Sequence, residues 1–195
     1  MDGIIYAGYP GAQGGKAIAD VLFGDYNPGG KLTLTFPKSV GQLPYNFPAK
    51  PFSQSDEGES AKIKGLLFPF GFGLSYTGFS YSHLRIEPIQ QQKDKNIEVW
   101  ADITNTGNRD GDEVVQLYTH EKVTSVTTYE KNLRGFERIH LGAGETKTVH
   151  FIIEPDDLKL WNRSMQHVVE PGEFTIMIGS SSQDIRLTWS FRITD

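Results

Sequence analysis

The stretch NIEVWADITNTG, residues 96–107, alternates apolar and polar side chains and ends in an Asn-Thr-Gly turn signal. This period of two predicts a strand with one buried face, and it places Trp100 on the opposite face. The side chains predicted to point inward are Ile97, Val99, Ala101 and Ile103. Similar runs recur through residues 79–193, separated by Gly, Asn, Asp and Pro. About seven short strands at this spacing predict an antiparallel β-sandwich.

Upstream of these strands, the first 25 residues predict a strand, a glycine-rich loop and a helix. The apolar run GIIYAG, residues 3–8, resembles a buried strand, and Gly24 stands where a helix C-cap belongs. The predicted apolar helix face comprises Ala17, Ile18, Val21 and Leu22. Because one βα unit leaves its strand without neighbours, we expect the chain to begin inside a larger α/β domain. Met1 would then be an internal or artificial start, and exposed apolar surface would favour self-association.

Residues 26–78 are rich in Pro, Gly and aromatic side chains and predict mostly irregular structure. One short strand is predicted over Lys31–Phe36, followed by a long connection with a polar, acidic middle. The predicted organisation is therefore a βα piece at 1–36, a linking arm at 37–78 and a sandwich domain at 79–195.

Composition excludes several functional classes. The 195 residues carry a net charge of −5 with no basic cluster, so we expect no nucleic-acid partner. Without Cys there is no disulfide framework, and no apolar run is long enough for a membrane span. The first residues do not resemble a signal peptide. The spacing of the five His residues predicts no metal site, and we expect no cofactor.

Three local motifs fail as chemical sites. The loop before Lys16 lacks the groups of a phosphate loop, because Pro10 has no backbone donor and Ala17 has no hydroxyl. The stretch at Asn108 places Glu113 where a calcium loop requires Gly. No G-x-S-x-G elbow is present for a serine nucleophile.

Longer stretches resemble glycoside hydrolase family 3. GYPGAQGGKAIADVLFGDYNPGGKLTLTFPKS (residues 8–39) is similar to the end of that family's α/β-sandwich domain, and FPFGFGLSYTGF (68–79) to its usual link to the last domain. The family's fibronectin type III-like domain is resembled by NTGNRDGDEVVQLY (105–118), KNLRGFERIHLGAGETKTVHFIIEPDDLKLWN (131–162) and VVEPGEFTIMIGSSSQDIRL (168–187). Two departures are Ala12-Gln13, where the family often has an acidic residue, and the unmatched loop SQSDEGESAKIKG (53–65).

The resemblance implies a parent enzyme that hydrolyses β-linked glucosides or xylosides with retention. Its aspartate nucleophile would come from a barrel domain and its acid/base carboxylate from upstream of residue 9, so neither role transfers to a residue of this chain. We expect this chain to be a structural accessory, inactive alone, whose partners are the upstream barrel and α/β domains. The compartment stays open, although the periplasm or secretion would suit the parent.

Some side chains could still contact a sugar. The loop carboxylates Asp56, Glu57 and Glu59 lie near aromatic residues in sequence, and glycoside hydrolysis uses paired carboxylates. Phe70 could lie near substrate, although solvated loop charges and aromatic packing at the domain junction are the simpler readings. An alternative function is a carbohydrate-binding or adhesion module, in which Trp100 and Trp161 would stack on sugars. An exposed aromatic row, to which Tyr118 and Trp189 could also belong, would support it.

Overall fold

The structure is a computed structural model that describes residues 3–51 and 64–195. These residues form an α-helix, α1 (Gly14–Phe23), two 3₁₀ helices (Val40–Gln42 and Pro155–Leu158) and strands that we number in chain order. The strands are β1 (Phe36–Pro37), β2 (Leu66–Phe68), β3 (Phe79–Glu87), β4 (Gln90–Gln92), β5 (Ile97–Asn105), β6 (Gly111–Glu121), β7 (Asn132–Leu141), β8 (Thr146–Ile153), β9 (Leu160–Trp161), β10 (His167–Val168), β11 (Gly172–Gly179) and β12 (Ile185–Thr194).

Two sheets form the main body of the molecule. A five-stranded sheet has the order β4-β12-β11-β6-β7, and a three-stranded sheet has the order β3-β5-β8. All of these pairings are antiparallel except that of β4 with β12. The predicted mainly β sandwich is confirmed.

The core lies between the two sheets. All four side chains predicted to point inward from β5 are fully buried, whereas Trp100 lies on the outer face. They pack with side chains of the five-stranded sheet: Val115 and Leu117 of β6, Phe174, Ile176 and Ile178 of β11, and Phe191 and Ile193 of β12. Each such burial contributes about 1.5–3 kcal/mol, which is what holds the two sheets together.

The N-terminal segment, residues 3–36, differs from the prediction outside its helix. The helix is confirmed, and Gly24 ends it with a left-handed φ of 83°. The strand predicted at residues 3–8 is wrong, because this stretch is exposed and has no regular structure here. The strand predicted over Lys31–Phe36 is also wrong. Leu32 instead exchanges backbone hydrogen bonds with Gly71 and Phe72, and only Phe36 enters a ladder.

Candidate functional site

The arm, described at residues 37–51 and 64–78, covers the outer face of the five-stranded sheet. Phe47 stacks on Phe70 with ring centroids 4.5 Å apart, and it meets the edge of Tyr118 at 5.7 Å. Tyr118 of β6 is fully buried, so it belongs to no exposed aromatic row. The structure therefore places Phe70 in the packing between arm and sandwich.

A buried amide fixes the arm to β6. Gln116 donates through Nε2 to the carbonyl oxygens of Gly71 (3.1 Å) and Ser180 (2.6 Å). Its Oε1 accepts from the Tyr118 hydroxyl at 2.5 Å, and burial raises the pKa of that phenol and keeps it a donor. The side chain of Gln116 therefore has partners for both its amide nitrogen and its oxygen, as a buried polar group requires.

A buried charge pair joins the N-terminal segment to the sandwich. Lys31 Nζ lies 3.1 Å from Glu113 Oε1, and the two side chains are only 11% and 4% exposed. The hydroxyl of Tyr81 donates to the same oxygen at 3.1 Å. Removing either charge would strand the other in a site of low dielectric constant, which is strongly destabilising.

Asn27 makes a second connection. Its Oδ1 accepts from Ser75 Oγ (3.0 Å) and the Tyr76 amide (2.8 Å), while its Nδ2 donates to the Asp110 carbonyl (2.9 Å). One side chain thus ties together the N-terminal segment, the arm and the turn before β6. We call the contacts of Asn27, Lys31, Glu113 and Gln116 the seam.

A cavity of about 350 Å³, which we call the end cavity, lies at one end of the inter-sheet core. Its floor includes Phe174, and its wall is built by β6, β7, β9, the loop after β6 and Lys50 of the arm. The polar and aromatic side chains that line it include Thr119, Glu121, Tyr129, Asn132, Arg134 and Trp161. The cavity therefore combines an apolar floor with polar and aromatic walls.

Glu121 is the unusual group of this cavity. It continues the inward row of Val115, Leu117 and Thr119 along β6, where a strand facing the core would ordinarily carry an apolar side chain. Its Oε1 is buried and has no hydrogen-bond partner among the described residues. Burial, with the charge of Glu170 nearby, raises the pKa of Glu121 to about 7.

Arg134 and Trp161 supply the cavity's other chemistry. Arg134 Nε donates to Thr119 Oγ1 at 3.3 Å. Burial lowers the pKa of its guanidinium, and the negative charge of Asp157 offsets part of this effect. Trp161 is 58% exposed and stacks on His167 at 4.9 Å. An aromatic surface therefore stands beside a guanidinium and a carboxyl group.

Trp100 lies elsewhere, on the outer face of the three-stranded sheet. Arg85 and His150 are its cross-strand neighbours on either side. The guanidinium of Arg85 lies 4.2 Å from the indole centroid, and the His150 ring stacks at 4.8 Å. Because both faces of Trp100 are occupied, a sugar could stack on it only by displacing one of these neighbours.

A Ser-His-Asp cluster on the same sheet does not form a catalytic triad. His83 Nδ1 lies 3.0 Å from Asp102 Oδ2 and 3.3 Å from Ser82 Oγ. In a triad the imidazole uses one nitrogen for the nucleophile and the other for the carboxylate, whereas here both partners meet the same nitrogen. The His83 side chain is 81% exposed, so we interpret the cluster as surface hydrogen bonding.

The remaining sequence candidates are the three carboxylates of the acidic loop. Asp56, Glu57 and Glu59 lie outside the described residues, so their proximity to substrate stays a prediction. Within residues 3–51 and 64–195, no group of three or more His, Cys, Asp or Glu side chains could hold a metal ion. No helix in the same ranges is long and apolar enough to cross a membrane.

Comparisons with known proteins identify both halves of the chain. Residues 1–76 match the family model described as the glycosyl hydrolase family 3 C-terminal domain, and residues 113–182 match the fibronectin type III-like domain. A β-xylosidase of Formosa agariphila is 46% identical over 92% of this chain. The chain belongs to glycoside hydrolase family 3.

Similarities to further glycosidases support this assignment. A periplasmic β-glucosidase of Salmonella typhimurium is 40% identical over 95% of the chain. A solved β-glucosidase from Erythrobacter marinus, 38% identical, superposes with a TM-score of 0.90 over 96% of the chain and 25% of its own length. The chain spans about a quarter of the length of the curated relatives that it matches (25% of each of the two named here).

Sequence reasoning missed the buried polar residues of the seam and of the end cavity. Glu113, Gln116 and Arg134 lie in stretches that resemble the family, but no motif assigned any of them a role beyond the failed calcium loop at Glu113. The signal that could have found Glu121 is its phase, because it shares the parity of Val115 and Leu117 on β6. Pairing over 82 residues between Lys31 and Glu113 leaves no local pattern to detect.

Proposed function

We propose that this chain is the non-catalytic C-terminal part of a retaining β-glycosidase, in which the sandwich and arm brace the catalytic domains. The observation that carries the proposal is the asymmetry of the N-terminal segment. One side of it is tied to the sandwich through the seam, whose buried polar groups have partners. Elsewhere the same segment presents large apolar side chains to solvent.

The exposed apolar side chains of this segment form a surface suited to burial against protein. They comprise Ile4, Ile5, Tyr6, Tyr9, Leu22, Phe23, Tyr26 and Leu34. Such concentrated apolar exposure in a soluble protein usually marks an interaction surface. We assign it to the upstream α/β domain, because about three quarters of the length of each named relative lies outside the part that this chain matches. The proposal includes the predicted division of the chain into a piece of the α/β domain that ends at residue 36, an arm that ends at residue 78, and the sandwich domain.

The parent reaction would follow the two-carboxylate mechanism of retaining glycosidases. One carboxylate forms a glycosyl-enzyme intermediate and the other serves as acid and then base. The most buried carboxylate described here, Glu113, is committed to Lys31 and Tyr81 and is unsuited to either role. The relatives named β-glucosidase and β-xylosidase make a β-glucoside or a β-xyloside the proposed substrate of the parent.

The proposal is tested by assaying the purified chain with 4-nitrophenyl β-glucoside and β-xyloside. We expect no release of nitrophenol above the buffer rate, because the chain would lack both catalytic carboxylates. The control is the same chain joined to upstream barrel and α/β domains of a family 3 enzyme, which should hydrolyse at least one substrate. Turnover by the chain alone, retained after repeated purification, would show that it carries its own catalytic groups.

A further inference from the structure

We propose that the end cavity binds a neutral saccharide of one or two pyranose rings. The cavity volume of about 350 Å³ lies within the roughly 300–1,000 Å³ typical of small-molecule sites. Such sites combine an apolar surface with a few convergent polar groups, and here Phe174 and Leu160 contribute the apolar part.

The polar groups of the cavity suit hydroxyl groups, which donate and accept at once. Arg134 presents N–H donors beyond its bond to Thr119, and Glu121 Oε1 is a buried acceptor without a partner in the described chain. Asn132 and Tyr129 line the same cavity and can each donate or accept. A sugar hydroxyl between Glu121 and Arg134 would satisfy the carboxyl oxygen, whose unmet hydrogen bond costs stability in its absence.

The charges of the cavity favour a neutral ligand over an anion. Three basic side chains line the cavity, and each is already engaged: Lys159 with Asp156 at 2.6 Å, Arg134 with the charge of Asp157, and Lys50 in an interaction of its own. Glu121 adds an acidic group to the wall, with Glu170 close to it. An anionic ligand would therefore meet nearby acids as well as bases, whereas a polyhydroxyl compound meets no charge repulsion.

Trp161 provides the flat surface that the apolar face of a pyranose needs. Only one of its ring faces is stacked on His167, and more than half of the residue is exposed. Trp161 therefore differs from Trp100, whose two faces are both covered. Of the two tryptophans that the sequence singles out, the structure favours Trp161 as a sugar-stacking residue.

The test is a titration of the 195-residue chain with methyl β-glucoside, cellobiose and xylobiose, followed by NMR of the Trp indole N–H groups. We expect a saturable shift of the Trp161 signal with at least one probe. Trp161→Ala lacks this reporter, so its affinity is measured by isothermal titration calorimetry; it should weaken binding at least about tenfold, as loss of an aromatic platform does. Trp189→Ala is the matched control, since Trp189 is 48% exposed but does not line the cavity, and it should leave the affinity unchanged.

Two substitutions of Glu121 separate binding from folding. Glu121→Leu removes the acceptor. This variant should fold at least as well as the unsubstituted chain, yet lose the saturable shift of the Trp161 signal. Glu121→Gln keeps an acceptor and should retain affinity within about threefold. Three results would overturn the proposal: no saturable shift with any probe, full affinity in Glu121→Leu, or glucuronate bound more tightly than methyl glucoside. The hydrolysis assay above is independent of this titration, so the two proposals can fail separately.

Discussion

At the scale of single residues, Glu121 makes its own contribution to how the stability of the sandwich responds to pH. In the unfolded chain its carboxyl group has an ordinary pKa near 4.5, whereas burial raises the folded value to about 7. Between these two values the unfolded state releases a proton that the folded state keeps. The contribution of Glu121 to folding stability therefore falls as the pH rises from about 4.5 to about 7, and it is constant above that range.

We predict that Glu121→Gln removes this fall. Near pH 4 the free energy of unfolding of the variant should equal that of the unsubstituted chain. At pH 8 it should be higher by about 1 kcal/mol, a value discounted because the carboxyl group is only half-buried. Urea unfolding across this pH range measures the difference. Glu137→Gln, which changes an exposed carboxylate on β7, is the control and should leave the profile unaltered. The prediction would be contradicted if the free energy of unfolding depended on pH in the same way in the unsubstituted chain and in Glu121→Gln.

At the scale of elements, the arm depends on the backbone of Gly71. This residue has a left-handed φ of 79°, and a Cβ there would overlap the side-chain amide of Gln116. The same residue accepts the Gln116 hydrogen bond and donates to Leu32, so it joins three parts of the chain. A side chain at this position would strain the backbone and displace the buried amide together.

We expect Gly71→Ala to lower the free energy of unfolding by about 2–3 kcal/mol, since it combines backbone strain with a disrupted buried hydrogen bond. Gly30→Ala is the matched control, because a Cβ there would meet nothing within 4 Å. Thermal and urea unfolding of both variants would measure the effect. If the two variants lost equal stability, the arm would not be held through Gly71.

The elements also show what local sequence can predict. The strands from Phe79 onward were predictable because alternation on β5 and β8 directly reports which side chains face the core. Residues 3–8 form no strand here because an apolar run needs a neighbouring ladder, which sequence alone cannot supply. The end cavity was beyond prediction, apart from Trp161, because it assembles β6, β7, β9 and the arm from distant parts of the chain.

At the scale of the whole molecule, apolar exposure is concentrated at the N-terminal segment. Leu22 and Phe23 are 64% and 84% exposed at the end of α1, next to the turn that Arg109 holds through the Gly24 carbonyl. A chain with this surface uncovered should associate with copies of itself, as the sequence predicts. In a longer enzyme the same surface would be buried against the preceding domain.

We predict concentration-dependent association of the 195-residue chain in sedimentation velocity experiments. Leu22→Glu together with Phe23→Glu should weaken it at least about tenfold, because charges oppose burial of the surface. The control is Phe136→Glu, an equally exposed aromatic residue (67%) on β7. A chain that stays monomeric at high concentration, or a Phe136→Glu variant that dissociates it equally, would place the contact elsewhere.

The seam has a practical consequence for protein engineering. An expression fragment that starts at Phe79 would keep every long strand of the sandwich but lose Lys31, leaving the Glu113 carboxylate uncompensated in a water-poor site. It would also uncover Tyr118 and deprive Gln116 of one acceptor. The sandwich is therefore poorly suited to transplantation as a detachable module, and grafting it onto a foreign protein would require carrying its preceding 78 residues or redesigning β6 at Glu113 on its inner face and at Gln116 and Tyr118 on its outer face.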